Sequence, residues 1–319
     1  MFELDHRALH ELVAQETGVA EAAWSEIRNG DECRVFRVDS EVGSLVVRVH
    51  PSRHRAQRIR WTHVLAAHCR ASVPEVVAPL RFASGDTVAM LGESSVAVFP
   101  WVHGDDLDAG EPALRRQAAH VLGALHRASA RFSELAPAGD PLQVHAGVKL
   151  PGLLQDSPLQ AWERSLPERG LLRLPIHGDF YPRNLLATSE RITGVLDWDE
   201  ACVDYRMAEL AWTVWELCKA PRGDDLCRQR AEEFIRDYAA IAPKCEGAEL
   251  EQLVPFIRRR MRREIIYQFA VIERGGPWND DNQAYLDAEI RAFETLGARA
   301  GALARTAHGA GGDRSVRRS

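Results

Sequence analysis

The sequence has no uncharged apolar run approaching the roughly 18 residues that a membrane-spanning helix needs. It also lacks an excess of positive charge, since 40 Lys and Arg residues stand against 46 Asp and Glu, a formal net charge of −6. A basic surface over the whole molecule, of the kind that binds nucleic acid, is therefore not expected. We expect neither a membrane nor a nucleic acid as a partner.

Paired cysteines are also missing, because the six cysteines include no Cys-x-x-Cys motif. A chain of 319 residues can bury a sizeable core without disulfides. The first residues contain acids where a secretory signal has bases, and no apolar segment follows them. These features favour a cytoplasmic chain with reduced thiols, and we expect a monomer or a homodimer.

Two hydrophobic patterns divide the chain. Short β-branched runs at 32–38, 45–50, 87–91 and 95–102 predict strands, and the segment 52–70 between them predicts a helix. From residue 111 onward apolar residues recur at helical spacing, with helix candidates at about 158–170, 207–219, 224–242, 247–272 and 279–300. The patterns predict an α+β fold: a small β-rich lobe over 1–103, a larger helical lobe over 104–300 and a disordered tail over 301–319.

The clearest functional pattern is one polar loop and the strand that follows it. His177, Asp179 and Asn184 lie in the loop, and the apolar strand 192–196 leads directly to Asp197. Phosphoryl transfer needs such a set, because it depends on metal clamping and positioning more than on covalent chemistry. Carboxylate and amide oxygens suit Mg²⁺, so Asn184 and Asp197 are the candidate metal ligands. Asp179 is the candidate base for an incoming hydroxyl.

These residues resemble the catalytic segment of the aminoglycoside phosphotransferase and choline kinase family, which has a protein-kinase-like fold. The family's His-Gly-Asp-x-x-x-x-Asn loop is matched at His177, Asp179 and Asn184, and its following metal-binding Asp at Asp197. The resemblance covers about residues 25–300. It implies a two-lobed protein-kinase-like fold, with Mg²⁺ as cofactor and ATP or GTP as phosphate donor.

The resemblance also implies that the amino-terminal lobe binds the nucleotide. Arg48 occupies the strand position at which kinases carry the Lys that pairs with the phosphates. Asn29 and Gly30 stand where a loop would cover the phosphates. The segment 96–104 resembles the linker between the lobes, and its candidate base contacts are Phe99, Trp101 and Val102.

The helix segment after Arg48 lacks the acid that kinases use to hold the strand cation. In kinases the helix after this strand supplies a Glu that holds the cation, but residues 52–70 contain no acid and several arginines. Glu75 and Glu93 are the alternatives that we considered for pairing with Arg48. An Arg can still fork onto two phosphate oxygens, although its reach differs from that of a Lys.

The acceptor would be bound by the helical lobe, as the resemblance implies. Asp199, Glu200 and Asp204 form an acid-rich segment that suits a cationic acceptor, and Asp199 is also placed to contact a second Mg²⁺. In the catalytic group we include His177 and Arg183 beside Asp179. His177 is interpreted chiefly as an anchor for the loop, and Arg183 as the loop residue that Glu209 would bind.

We therefore expect a small-molecule O-phosphotransferase that moves the γ-phosphate of ATP or GTP to a hydroxyl. The catalytic segment is most similar to the antibiotic-modifying branch, which favours inactivation of an aminoglycoside or nucleoside antibiotic. A metabolic kinase for homoserine, choline or a similar amino alcohol is the alternative. A non-catalytic nucleotide-binding pseudokinase is a second alternative, suggested by Arg48 and the acid-free helix.

Overall fold

The computed structural model describes residues 4–29, 33–51, 56–137, 152–244 and 247–311. Gly30 of the expected phosphate loop lies outside the described residues, and only the backbone of Asn29 is described. The chain divides into two compact units, Met1–Pro141 with Pro175–Val203, and Leu142–Leu174 with Asp204–Ser319. This division is distinct from the lobe boundary at residue 103, which stays a prediction.

The fold is α+β, with a β-sheet in the amino-terminal region and helices in the carboxy-terminal part. Its strands are β1 (Ala23–Asn29), β2 (Arg34–Ser40), β3 (Gly43–His50), β4 (Ala89–Leu91), β5 (Ser94–Pro100), β6 (Asp105–Asp106), β7 (Arg173–Ile176), β8 (Leu185–Ala187), β9 (Ile192–Val195) and β10 (Cys202–Tyr205). Its helices are α1 (His6–Thr17), α2 (Ala56–Arg70), α3 (Pro112–Ser129), α4 (Ser157–Ser165), α5 (Arg206–Cys218), α6 (Arg228–Ala239), α7 (Gly247–Leu250), α8 (Leu253–Glu273) and α9 (Asp280–Gly311).

The first unit contains a five-stranded antiparallel sheet in the order β1-β2-β3-β5-β4. Alternate residues of β2, β3 and β5 face a core that α1 covers, because successive side chains of a strand point to opposite faces. That core contains Leu9, Val13, Phe36, Val38, Val47, Val49, Phe82, Val96 and Val98. Strand β1 was not predicted from the sequence, since it is a largely exposed edge strand without a β-branched run.

The opposite face of the same sheet carries polar groups. Arg48 of β3 stands in register with Ala97 of β5, and Val46 stands in register with Phe99. Arg48 and Phe99 therefore share the face that α1 does not cover.

A second, smaller sheet of the first unit has the order β6-β8-β9. The end of β9 is also held by the segment after α2, since Val195 N donates to Glu75 O at 2.8 Å and Val77 N donates to Val195 O at 3.1 Å. Gln117 of α3 fixes the β8–β9 turn, because its side chain bonds Glu190 O at 2.8 Å and Ile192 N at 3.1 Å. The strand that leads to Asp197 is thus fixed on both sides.

The second unit is mainly helical. Helix α5 is buried along most of its length and packs against α8 and α6, and α8 packs against α9. The predicted helix 247–272 is two helices, α7 and α8, separated by a turn. Helix α9 continues to Gly311, so the first part of the expected tail is helical, and residues 312–319 lie outside the described residues. Among the described residues no helix combines the length and apolarity that crossing a bilayer requires.

His63 of α2 is a buried titratable group beside the polar face of the sheet. Its Nδ1 lies 2.8 Å from Thr87 Oγ1, and its ring meets the Phe99 ring edge-on at 5.6 Å between centroids. Burial, followed by the positive charge of Arg48, lowers the pKa of His63 to about 3. The imidazole is therefore neutral in the folded protein at pH 7.

Packing of α1 on the sheet predicts a large effect of shortening Leu9, which is fully buried. We expect Leu9→Ala to lower the free energy of unfolding by about 2–5 kcal/mol, because it removes buried apolar surface and leaves a cavity. Urea unfolding measures the change. Leu135→Ala is the matched control, because Leu135 is 93% exposed; equal losses for both variants would contradict the packing.

The neutral state of His63 predicts a pH dependence of stability. Between pH 6.5 and about 3 the unfolded chain binds a proton at His63 that the folded chain does not, so stability falls as the pH falls through this range. We expect His63→Asn to reduce the slope of unfolding free energy against pH by up to about 1.4 kcal/mol per pH unit. The exposed His103 provides the control, His103→Asn, and an unchanged slope in His63→Asn would contradict the assignment.

Candidate active site

The loop between β7 and β8 joins the predicted base to a predicted metal ligand. Asn184 ends a short 3₁₀ turn, Pro182–Asn184, and is buried. Its Nδ2 donates to both Asp179 O and Asp179 Oδ2, each at 2.9 Å. An amide nitrogen is a donor and does not bind a cation, so Oδ1 is the atom of Asn184 suited to a metal. The bond to Oδ2 also fixes the direction of the Asp179 carboxylate.

Asp197 follows the end of β9 and has an unusual backbone. Its φ is 58°, and it is the one non-glycine with a positive φ in the part of the chain that the structure describes. Such strained conformations cluster at functional sites, where the surrounding structure enforces them. The residue before it is held by a backbone hydrogen bond, because Leu196 N donates to Asn184 O at 2.8 Å. This bond holds the Asp197 and Asn184 segments side by side.

His177 ties the same two segments together. Its Nδ1 accepts from Asp179 N at 3.2 Å, and its Nε2 lies 2.7 Å from Leu196 O. The Asp179 N–H can donate only to an unprotonated Nδ1, so the proton of the neutral ring is on Nε2 and is donated to Leu196 O. The ring is 2% exposed and meets the Trp198 ring edge-on. Both ring nitrogens therefore bind backbone groups, which is an anchoring arrangement.

Gly178 lies where the loop meets the segment after Asp197. Its φ is 89°, and a Cβ built on it would overlap the carbonyl of Glu200. Only glycine satisfies both requirements, since it has no Cβ and tolerates a positive φ. The His-Gly-Asp motif thus needs its glycine for close backbone packing.

Arg48 reaches the catalytic segment from the sheet. Its Nη2 donates to Asp197 Oδ1 at 3.0 Å and to Asp199 Oδ2 at 2.9 Å. Burial opposes the charge, but the carboxylates of Asp199 and Asp197 outweigh it and raise the pKa of Arg48. The acids that pair with Arg48 are thus these two, and not Glu75 or Glu93 as considered from the sequence.

Helix α2 contributes a cation to the site. Arg58 Nη2 donates to Ala201 O at 2.5 Å and lies 3.5 Å from Asp199 O. It thereby holds the backbone of the segment that carries Asp199. Arg58 was not predicted from the sequence to be a site residue, although the run of arginines in an acid-free helix was the available signal.

Of the remaining nucleotide candidates, Phe99 shares the sheet face of Arg48, and Trp101 and Val102 follow the end of β5. The ring of Trp101 is covered by the Arg37 guanidinium at 4.3 Å, and its backbone N donates to Ser44 O at 3.1 Å. That amide is therefore already used within the unit. Val102 lies with Leu186 of β8 around Gly194, forming an apolar surface beside β9.

The acids proposed for the acceptor have different surroundings. Asp199 is bound to Arg48, as described above, and Glu200 packs its backbone against Gly178. Asp204 belongs to the second unit and pairs with Arg259 at 3.1 Å. Two of the three predicted acceptor acids thus have an arginine partner within the protein. Arg183 of the catalytic group is exposed.

The donor set fits a magnesium ion bound mainly through phosphates. Asn184 Oδ1 and the Asp197 carboxylate are hard oxygen donors held on adjacent segments, and Mg²⁺ commonly takes one or two protein oxygens plus phosphate and water. No group of three His, Cys, Asp or Glu side chains suited to a metal occurs among the described residues. A site that uses substrate phosphates does not require one.

The packing of Gly178 predicts a sensitive position. We expect Gly178→Ala to lower the melting temperature and to reduce nucleotide binding, because the added Cβ must displace the Glu200 backbone and, with it, the Asp197–Asp199 segment. Calorimetric melting and nucleotide titration measure the two effects. Gly152→Ala is the control, since a Cβ there meets open space. Wild-type melting and binding in Gly178→Ala would contradict the close packing.

Comparison with known proteins identifies the family of this chain and a relative. The model of the phosphotransferase enzyme family matches residues 23–244. A homoserine kinase of Parvibaculum lavamentivorans is 24% identical over 251 residues, which cover 74% of this chain and 76% of that protein.

Solved structures show the same fold. The amicoumacin kinase hAmiN, in complex with AMP-PNP, Ca²⁺ and Ami, superposes with a TM-score of 0.72 at 13% identity and covers 92% of this chain and 94% of its own. Aminoglycoside phosphotransferase APH(4)-Ia superposes with a TM-score of 0.63 at 17% identity, covering 92% and 99%. The protein-kinase-like fold expected from the sequence is thereby confirmed, and the chain belongs to the phosphotransferase enzyme family.

Proposed function

We propose that this small-molecule phosphotransferase moves the γ-phosphate of ATP or GTP to a hydroxyl group in a Mg²⁺-dependent reaction. The observation that carries the proposal is the hydrogen bond from Asn184 Nδ2 to Asp179 Oδ2, beside the strained Asp197. Because Asn184 uses its nitrogen to bind Asp179, its Oδ1 is left for the metal, together with the Asp197 carboxylate. The Asp179 carboxylate would serve the acceptor hydroxyl. Phosphoryl transfer needs both roles filled at once.

In this proposal Asn184 and Asp197 hold the metal. Bound Mg²⁺ would neutralise phosphate charge and so stabilise the transferring group. His177 keeps the two segments in place through its bonds to Leu196 O and Asp179 N. A mismatch of about 1 Å costs much of the rate in such reactions, which explains the value of this anchoring.

Asp179 acts as the base or orienting group for the acceptor hydroxyl. Its Oδ2 accepts from Asn184, so the carboxylate has a fixed direction before the acceptor arrives. A general base must lie within hydrogen-bonding reach of the proton that it removes, and this requires a fixed direction. Arg183 follows on the same loop and is exposed, which is compatible with a contact to phosphate.

The nucleotide would lie along the polar face of the five-stranded sheet. Arg48 would provide the phosphate contact, because its guanidinium is positively charged and has five donors. The two carboxylates bind its Nη2, and the Cys33 side chain is a further hydrogen-bond partner. Phe99, on the same face, with Trp101 and Val102 after it, would contact the base. Asn29 and Gly30 remain proposed phosphate-loop residues.

The acceptor class has two candidates. The sequence motif and the fold neighbours hAmiN and APH(4)-Ia favour an antibiotic, including an aminoglycoside or nucleoside type. The homoserine kinase relative, which has higher identity, favours homoserine or a similar amino alcohol. Fold alone does not determine substrate. Both classes are hydroxylated small molecules, and most members carry an amine.

The pseudokinase alternative gains no support from the site, because Asp179, Asn184 and Asp197 are all present and arranged together. A cytoplasmic location and a monomeric or homodimeric state remain predictions from the sequence.

The acceptor is tested with the purified protein, Mg²⁺ and ATP or GTP, against a panel of aminoglycosides, nucleoside antibiotics, homoserine and choline. Mass spectrometry detects a product heavier by one phosphoryl group. Phosphorylated homoserine or choline would select the metabolic role, and a phosphorylated antibiotic the other. Nucleotide that binds and is never transferred to any acceptor would contradict the proposed reaction.

The role of Asp179 predicts a specific loss. We expect Asp179→Asn to reduce turnover by about 10²–10⁴-fold, because the amide cannot take a proton, and to change the nucleotide Kd by less than about twofold. Asp105→Asn, an exposed position on β6, is the control. Turnover near the wild-type rate in Asp179→Asn would rule out the assignment.

A further inference from the structure

Arg48, the cation on β3, is held by acids from the segment after β9 and not by an acid of the following helix α2. The helix after β3 has no acid anywhere in its sequence, so it cannot supply the usual carboxylate partner. Asp199 instead binds Arg48 Nη2 at 2.9 Å, from the segment that also carries Asp197. The sheet cation and the segment after β9 are therefore linked directly.

We propose that Asp199 is a positioning residue, which holds Arg48 at the nucleotide phosphates, and that Arg58 positions Asp199. The inference rests on the proposed function and adds a residue role to the same site. It assigns to Asp199 a task different from those considered above, which were a contact to a second metal ion and recognition of a cationic acceptor.

The two carboxylates on Arg48 are not equivalent in this arrangement. Asp197 is the proposed metal ligand, and a carboxylate oxygen given to a metal no longer holds Arg48 as strongly. Asp199 then provides the second attachment, 2.9 Å from the same Nη2. The Arg48 side chain is only 13% exposed. A buried cation without an acidic partner lowers stability, because its charge is removed from water without compensation. Asp199 keeps that charge compensated when Asp197 has another partner.

The second attachment is itself braced by neighbouring elements. Arg58 of α2 binds the carbonyls of Ala201 and Asp199, so the backbone on both sides of the Glu200 peptide is tied to the helix. His50 of β3, 3% exposed, has its Nδ1 3.7 Å from Asp199 Oδ2. Helix α2 and strand β3 thus both contact the segment that carries Asp199. The contacting groups are the guanidinium of Arg58 and the imidazole of His50, and neither is an acid.

A double-mutant cycle tests the assignment. We would measure the Kd of AMP-PNP with excess Mg²⁺ by calorimetry for the wild type, Asp199→Asn, Arg48→Gln and the double variant. If Asp199 acts through Arg48, Asp199→Asn raises the Kd about tenfold in the wild-type background, equivalent to about 1.4 kcal/mol. In the Arg48→Gln background the same change raises the Kd by less than about twofold.

The matched control is Asp86→Asn, because Asp86 also pairs with an arginine of the same unit, Arg60, at 2.8 Å, and is similarly exposed. We expect this variant to keep the wild-type Kd. If Asp199→Asn does not fold, Arg58→Gln replaces it, and the Kd should again rise only where Arg48 is present.

The outcomes separate the inference from the proposed function. An equal loss in both backgrounds, with a higher Mg²⁺ requirement, means that Asp199 contacts a metal and overturns the positioning role while leaving the kinase assignment intact. An unchanged Kd in Asp199→Asn overturns it as well. A wild-type protein that binds no AMP-PNP contradicts the proposed function and the inference together.

Discussion

The bridge from one nitrogen of Arg48 to two carboxylates joins the parts of the site, because it connects the sheet to the segment after β9. Each partner is separately fixed: Arg48 by its register between β2 and β5, Asp197 by the strained backbone beside Asn184. The charges are opposite, and Arg48 is mostly buried, so leaving Arg48 without an acidic partner would be costly. The positions of the metal ligands and of the phosphate cation consequently depend on each other.

The sequence predicted the parts of this site that depend on local spacing. His177, Asp179 and Asn184 lie in one loop, and the antiparallel pair β8–β9 leads from that loop to Asp197, so the short stretch of chain between them brings them close. The fold class followed from the same patterns, because alternating and helical periodicities differ clearly. The partner of Arg48 was not predictable in this way, since 149 and 151 residues separate it from its two acids.

Other misses have related physical causes. Arg58 acts on backbone carbonyls, which every residue has, so no motif marks its target. Strand β1 is an exposed edge and lacks the apolar alternation that identifies a half-buried strand. The acids Asp199 and Asp204, which were selected for their charge, pair with Arg48 and Arg259, and the sequence did not indicate these partners. A charged residue in a sequence therefore indicates that an ionic contact exists more reliably than it indicates which partner forms that contact.

The most direct test of this account is a crystal structure with Mg²⁺ and AMP-PNP bound. We predict metal bound to Asn184 Oδ1 and to an Asp197 carboxylate oxygen, with Arg48 on a phosphate and still bonded to Asp199. An Arg48 that remains on Asp197 while the metal lies elsewhere would contradict it. So would a phosphate chain bound away from the polar face of the sheet.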